Sequence, residues 1–190
     1  MAEYINEIFP EGVVNIIYGK GETVGSSLVT HDDVSMISIT GDVATGTEIL
    51  KAASKGVKRT HLELGGKAPV IVFNDANIAD VVEGIRAFGY YNSGQDCTAA
   101  CRIYANKKIY DNLVADLTSA VSSIVYNNND DSKNEIGPLI TQNHRNRVSK
   151  FVEKAKSLKH IEVTTGGSIH SGPGNYFQPT VIAGASQDDE

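Results

Sequence analysis

Short apolar runs alternate with amphipathic stretches along most of this 190-residue chain. The apolar runs are rich in β-branched residues, which is typical of buried strands, and the amphipathic stretches repeat their apolar residues with a helical period. Alternating strand and helix patterns of this length predict an α/β fold, with a parallel sheet and helices on its faces. Predicted strands cover residues 13–18, 34–40, 57–63, 67–73, 102–105, 161–165 and 176–182. Predicted helices cover residues 2–9, 23–30, 41–51, 78–88, 110–125 and 141–158.

The length allows one large domain or two small ones. The composition changes from residue 66, the second of two consecutive glycines. We therefore expect two parts, residues 1–65 and 66–190.

Composition and charge exclude several classes of protein. The net charge is −6 and there is no basic run, which argues against nucleic-acid binding. No apolar stretch approaches the roughly 18 residues of a membrane helix, and residues 1–6 lack the features of a signal peptide. Cys97 and Cys101 alone make a poor zinc site, so we expect free thiols, a cytoplasmic location and no metal.

A glycine-rich turn at residues 19–25 follows the first predicted strand. It resembles a dinucleotide-binding fingerprint but has one residue too many before its last glycine. Asp42 ends the next strand, where a ribose-binding carboxylate would lie. Two interpretations stay open at this point: a nucleotide site, or an ordinary turn between strand and helix.

The strongest candidate chemistry lies in Glu63-Leu64-Gly65-Gly66-Lys67 and in Cys97. A strand and a helix separate the two, so the chain can return the cysteine to the neighbourhood of the carboxylate. We predict a helical turn beginning at Cys97, whose N–H would face a developing oxyanion, with Glu63 as base. The alternatives are an inert buried thiol, which fits Cys101, and an exposed glutamate at a strand end.

Five segments together resemble the aldehyde dehydrogenase family. Two of them are the family signatures, residues 63–67 and Asn92-Ser93-Gly94-Gln95-Asp96-Cys97. The others are residues 9–15, 19–25 and 39–46, and the resemblance extends over nearly the whole chain. It implies an incomplete Rossmann-like cofactor domain over residues 1–65, followed by the start of an α/β catalytic domain over residues 66–190.

The resemblance implies a role for each matching residue. Cys97 would attack the aldehyde, and Glu63 would activate the water that hydrolyses the resulting thioester. The cofactor would be NAD, and full-length members form homo-oligomers. Residues expected beside the cofactor are Gly21 and Gly25 (adenosine), Gly41 and Asp42 (pyrophosphate), Thr45 (adenine cleft) and Leu64 (nicotinamide ribose). Two further residues, His144 and Arg147, occupy places from which the catalytic domain of family members can touch the cofactor. The turn at residues 19–25 is then not a pyrophosphate turn, and Asp42 is not a ribose ligand.

Two acidic residues bear on affinity and substrate. The family commonly has Ser where this chain has Asp42, and a carboxylate there repels phosphate, so we expect weaker NAD binding. Asp96 beside the nucleophile would attract an aldehyde that carries an ammonium group, or it is a solvated loop acid. Residues 88–102 resemble members that oxidise aminoaldehydes such as 4-aminobutanal, from putrescine breakdown.

Family members are much longer than this chain. The segments that supply the oxyanion-hole Asn, the adenosine-ribose Lys and Glu, and the nicotinamide-ribose Glu-x-Phe pair have no counterpart in it. We therefore expect an internal fragment with little or no activity alone and weak NAD binding. The alternative to a catalytic piece is a non-catalytic fragment that only folds or associates with other chains.

Overall fold

The α/β prediction is confirmed in a computed structural model of the chain, which describes residues 2–189 except for the side chains of Ala2 and Asn6. These residues contain three two-stranded sheets, and helices pack beside the strands. They fall into two compact units that meet in the chain between Gly65 and Gly66. Each unit is described separately below.

The first unit is built around a pair of parallel strands. Its elements are α1 (Ala2–Ile8), a π-helical turn (Gly21–Gly25), α2 (Ser26–Thr30), β1 (Met36–Gly41), α3 (Val43–Lys55) and β2 (Arg59–Leu64). The core of this unit lies between the strands and helices α2 and α3, and its buried members are Ile37, Ile49 and Ala53. Since β1 and β2 are parallel, their carboxyl ends lie side by side, with Gly41 opposite Leu64.

The strand predicted over residues 13–18 is wrong. The structure describes no strand there, and Val13, Ile17 and Tyr18 are exposed. An apolar run becomes a strand only where a neighbour accepts its ladder hydrogen bonds. In the described part of the first unit, β1 and β2 pair only with each other.

The second unit contains a parallel pair and an antiparallel pair of strands. Its elements are β3 (Ala68–Val72), α4 (Ile78–Tyr90), a 3₁₀ turn (Tyr91–Gly94), β4 (Ala100–Ala105), α5 (Tyr110–Ser122), a 3₁₀ turn (Asp131–Lys133), α6 (Gln142–Lys156), β5 (Glu162–Thr165) and β6 (Val181–Ala183). Asn77 caps α4 by accepting a hydrogen bond from the backbone of Ala79, and Thr141 caps α6 through His144 N–H. Both caps stabilise helix starts that the sequence pattern predicted.

The core of the second unit joins β3, α4 and α5. Its most deeply buried side chains are Leu113 and Val121 of α5, and Val82 and Ile85 of α4 pack in the same cluster. Phe88, three residues after Ile85, would continue this apolar stripe of α4, but its side chain is 69% exposed. The apolar stripe of α4 therefore enters the core in the centre of the helix and leaves it near the C-terminal end.

The last predicted strand, residues 176–182, is mostly wrong. Regular strand structure covers only Val181–Ala183, and it pairs antiparallel with β5 rather than extending a parallel sheet. Before it, Phe177 makes a single isolated bridge to Ile169. Among residues 2–189, no helix is both long enough and apolar enough to cross a membrane.

Candidate active site

Several predicted site residues of the first unit meet at the carboxyl ends of β1 and β2. The register places Thr40 opposite Glu63 and Gly41 opposite Leu64. A parallel pair brings such ends to one edge, which is where ligands of α/β proteins bind. Helix α3 starts at the same edge, directly after Gly41, so Asp42 and Thr45 are placed there too.

Asp42 is the N-cap of α3. Its Oδ1 accepts a hydrogen bond of 2.7 Å from the backbone N–H of Thr45. The start of a helix is a natural place for a phosphate, because unpaired N–H groups point outward there. In this chain the Asp42 carboxylate already accepts a hydrogen bond from one of those N–H groups, and it brings negative charge to the carboxyl ends of β1 and β2.

Glu63 has a neighbour that the motifs did not reveal. His61 lies on the same face of β2, with its Nε2 at 3.7 Å from Glu63 Oε1. The other ring nitrogen, Nδ1, is 3.1 Å from Ser38 Oγ on β1. Alternate residues of a strand share a face, so the spacing of His61 and Glu63 was the available signal. The glutamate and the histidine are both more than half exposed.

The surroundings are crowded at Leu64 and open at Gly21 and Gly25. The Leu64 side chain packs on helix α3 so closely that a Cβ at Gly46 would lie 2.8 Å from it. Gly21 and Gly25 bound the π-helical turn, and a Cβ at either would find no atom within 4 Å. That open space leaves room for a ligand. None of the described backbone hydrogen bonds joins these two glycines to the carboxyl ends of β1 and β2.

In the second unit, Cys97 is an exposed free thiol in a single turn. The turn is closed by a hydrogen bond from Ala99 N–H to Asp96 O, and β4 begins at Ala100. A single hydrogen-bonded turn is therefore present where a helical turn was predicted, but no helix follows it, because the chain enters β4. Cys101 is exposed as well, which contradicts its interpretation as a buried, inert thiol.

Asp96 supports this turn. Its Oδ1 accepts hydrogen bonds of 2.7 Å from both the backbone N–H and the hydroxyl of Thr98. The backbone bond, followed by the hydroxyl bond, lowers the pKa of Asp96 below its usual value. The carboxylate beside the thiol therefore stays ionised to a lower pH than a free aspartate would.

Gly66, the second glycine after Glu63, comes near the Cys97 backbone. Within the second unit, a Cβ at Gly66 would lie 3.3 Å from the Cys97 carbonyl oxygen. A side chain at this position would therefore press on the turn that carries the thiol. Gly66 lets the two backbones approach, as the glycines of the motif suggested.

A cavity of about 250 Å³ lies beside residues 93–95, the segment just before Cys97. It is lined by Tyr90, Ser93, Gln95 and His144, among others. The Tyr90 hydroxyl donates a hydrogen bond of 2.8 Å to Thr180 O, and burial raises the pKa of Tyr90. His144 therefore lines the same cavity as the segment that precedes Cys97.

Arg147 lies further along α6, and its guanidinium is 5.7 Å from the centre of the Phe151 ring. The surrounding face of α6 also carries Lys150 and Lys154. Within residues 2–189, no group of three or more His, Cys, Asp or Glu side chains is arranged to hold a metal ion.

Comparisons with known proteins give a consistent result. The model of the aldehyde dehydrogenase family matches residues 1–190. Betaine aldehyde dehydrogenase of Bacillus subtilis is 37% identical over 183 residues, which are 94% of this chain and 37% of that protein. The chain therefore spans well under half of that relative's length.

Solved structures agree in fold. The crystal structure of lactaldehyde dehydrogenase from Escherichia coli superposes with a TM-score of 0.92 at 37% identity, covering 99% of this chain and 40% of the other. A point mutant of betaine aldehyde dehydrogenase from Staphylococcus aureus, solved with NAD+ and a cysteine modified by BME, gives a TM-score of 0.90 at 35% identity. That match covers 95% of this chain and 37% of the mutant.

Proposed function

Because this chain belongs to the aldehyde dehydrogenase family, we propose that it carries the nucleophile and the base of an NAD-dependent aldehyde oxidation. Cys97 is the nucleophile and Glu63 is the general base. The observation that carries the proposal is the exposed thiol of Cys97, placed in a hydrogen-bonded turn directly after the segment Asn92-Ser93-Gly94-Gln95-Asp96.

The proposed reaction begins at the thiol. Cys97 loses its proton to solvent, and the thiolate Sγ attacks the carbonyl carbon; the resulting alkoxide is stabilised by hydrogen-bond donors, as in other acyl-transfer sites. The Cys97 N–H is one candidate donor, since the turn is closed by the N–H of Ala99 instead. NAD, when bound, would supply the acceptor for the hydride of the carbonyl carbon, and Cys97 would then carry the acyl group as a thioester.

Glu63 acts in the second half of the reaction. Its carboxylate takes a proton from water, the water oxygen attacks the thioester carbon, and the carboxylic acid leaves as Cys97 regains its thiol. Two features support this assignment. The Glu63 carboxylate is more than half exposed, and it lies at the strand ends opposite Thr40, at the edge where ligands of α/β proteins bind.

The first unit would hold the cofactor. Its strand-end edge offers Gly41, the N-terminus of α3 with Thr45, and the apolar side chain of Leu64. The open space at Gly21 and Gly25 suits the adenosine end. The fit is imperfect at one place, since the Asp42 carboxylate opposes an anionic pyrophosphate.

We propose an aminoaldehyde as substrate, as in γ-aminobutyraldehyde dehydrogenases. The Asp96 carboxylate keeps its charge, and both bonds to Thr98 use Oδ1, which leaves Oδ2 outside them. In Asp96→Asn the turn keeps its acceptor and loses the charge. We expect the preference for 4-aminobutanal over uncharged butanal to fall about two- to fivefold, as for an exposed charge pair. An unchanged ratio would refute this substrate.

Acyl transfer tests the two chemical roles without the cofactor. The 190-residue chain is treated with p-nitrophenyl acetate, and the acetylated residue is identified by mass spectrometry. We expect acetyl-Cys97, absent from Cys97→Ala and retained in Cys101→Ala. In Glu63→Gln the acetyl group should persist at least tenfold longer, in line with loss of a general base. Equal labelling of both thiols, or equal lifetimes, would reject the assignment.

A second function follows from the exposed apolar side chains of Val13, Ile17 and Tyr18. Such a surface favours association with other polypeptide chains. NADH formation from aldehyde separates the two functions, with Cys97→Ala as the control. Turnover that depends on Cys97 supports the enzyme, whereas a folded chain without turnover supports a non-catalytic associating fragment.

A further inference from the structure

We infer that Ser93 and Gln95 are positioning residues, which hold the turn of Cys97 against the segment of residues 137–140. The inference rests on the proposed role of Cys97 as nucleophile. It concerns how the thiol is kept in one place, and it depends on hydrogen bonds that reach across the second unit.

The loop before Cys97 has an unusual backbone. Asn92, Ser93 and Gly94 have φ values of 49°, 59° and 74°, so three consecutive residues adopt the left-handed conformation. Only glycine adopts it without a steric penalty. A strained run of this kind persists only where surrounding contacts hold it, and such runs cluster at functional sites.

Two side chains provide those contacts over a long sequence distance. Ser93 Oγ donates a hydrogen bond of 2.5 Å to Gly137 O. Gln95 Oε1 accepts one of 2.9 Å from Ile140 N–H. Both bonds end on the backbone of a neighbouring segment, so they fix the position of the loop rather than only its internal shape.

The receiving segment is itself held in place. Leu139 N–H donates to Asn175 O at 3.0 Å, and Thr141 caps helix α6 by accepting from His144 N–H at 3.1 Å. The loop is thus tied to a segment that is fixed on both sides. A mobile partner would transmit no positional constraint to Cys97.

Glutamine suits its position because its amide is both donor and acceptor. While Gln95 Oε1 reaches Ile140, its Nε2 donates to Asn92 O at 3.0 Å. Asn92 returns a bond of 3.1 Å from its own amide to Gln95 O. Gln95 therefore connects the left-handed run, the neighbouring segment and the turn that begins at Asp96.

A spin label on each cysteine in turn tests the inference. A nitroxide is attached to Cys97 in a Cys101→Ala background, and to Cys101 in a Cys97→Ala background. Both thiols are exposed, so both accept the label. With Ser93→Ala or Gln95→Met, we expect a mobile component to appear in the Cys97 spectrum, while the Cys101 spectrum stays unchanged. The result does not require turnover, so it is independent of the NADH assay.

Gln95→Glu serves as the conservative rescue, because it keeps an acceptor for Ile140 N–H. It loses the Nε2 donor to Asn92 O, so we expect its Cys97 label to be less mobile than in Gln95→Met but more mobile than in the parent chain. Amide hydrogen exchange at Ile140 should accelerate about fivefold in Gln95→Met, the factor that corresponds to one ordinary hydrogen bond, and much less in Gln95→Glu. An unchanged Cys97 spectrum in both Ser93→Ala and Gln95→Met overturns the inference. So does equal loosening of both labels, which would indicate a purely structural role.

Discussion

The last turn of helix α4 rests directly on the start of β4, at Gly89 and Ala100. A Cβ at Gly89 would lie 2.8 Å from the Ala100 carbonyl oxygen, a separation that no side chain tolerates without movement of the backbone. Ala100 follows Cys97 closely in the chain, and Gly89 precedes the left-handed run. This contact therefore brings together the two ends of the loop that carries the thiol.

Gly89→Ala should destabilise the chain. The added methyl group forces α4 and β4 apart, and overpacking of this kind costs about 1–3 kcal/mol. Gly84 on the same helix is the matched control, since a Cβ there meets no atom within 4 Å. Gly84→Ala should stabilise by up to about 1 kcal/mol, because alanine favours the helix. Urea unfolding measures both, and equal effects of the two substitutions would contradict the packing argument.

The helices and the parallel strands were predictable because local pattern determines them. The apolar stripe of α4 places Val82 and Ile85 in the core, and Asn77 marks the helix start through its capping side chain. Parallel pairing of β1 with β2 follows from the helix between them, since a crossover of that length returns the chain in the same direction.

What was mispredicted depends on partners that no local pattern specifies. Residues 13–18 have the composition of a strand but make no ladder with the described strands. Cys101 was interpreted as buried from the average behaviour of cysteine, yet it is exposed, at the place in β4 where the register with β3 shifts. Burial of a strand residue depends on what covers that face, and composition does not report it.

The candidate site shows the same division. Motif spacing singled out Glu63 and Cys97, and the assignment of their roles stays a prediction. The contacts of Ser93 and Gln95 with residues 137–140 could not be predicted, because they join segments that are distant in the chain. His61 could have been identified from the sequence, because alternate residues of a strand share a face and His61 lies two residues before Glu63 on β2.

Both thiols should react with Ellman's reagent in the folded chain, since Cys97 and Cys101 are exposed. We expect two equivalents of released thiolate from the parent chain and one from Cys101→Ala, with little increase when urea is added. The measurement is an absorbance titration before and after unfolding. A single equivalent before urea and two afterwards would show that one thiol is covered, contrary to the structure.

The Arg86–Glu135 ion pair predicts a pH-dependent stability. Glu135 Oε1 accepts a hydrogen bond of 2.8 Å from Val125 N–H, and Oε2 lies 2.6 Å from an Arg86 guanidinium nitrogen. The Val125 bond, followed by Arg86, lowers the pKa of Glu135 in the folded chain. The carboxylate therefore contributes stability above its ordinary pKa of about 4.3, and that contribution is lost as the pH falls through the lowered folded value.

Glu135→Gln should lower the free energy of unfolding by about 1 kcal/mol at pH 7, a value reduced for the partial exposure of the pair. The difference from the parent chain should shrink as the pH falls below the ordinary carboxyl range. Urea unfolding at several pH values measures this. Glu83→Gln, on the exposed side of α4, is the control and should show neither effect. A constant difference between Glu135→Gln and the parent would exclude the carboxylate as its source.

Asp42 separates helix capping from cofactor binding. Asp42→Ser retains a good N-cap for α3 and should lower the free energy of unfolding by less than about 1 kcal/mol. Asp42→Ala loses the bond from Thr45 N–H and should lower it by about 1 kcal/mol.

NAD binding is affected differently by the same two substitutions. If the strand-end edge binds the pyrophosphate, both substitutions remove a repelling charge, and only serine supplies a hydroxyl donor. We expect NAD to bind about two- to fivefold more tightly to Asp42→Ser than to the parent, the range for one exposed charge near a helix N-terminus. Calorimetric titration of the three chains, alongside urea unfolding, distinguishes the contributions. Equal tightening in both variants would assign the effect to charge alone, and equal affinity in all three would place the pyrophosphate elsewhere.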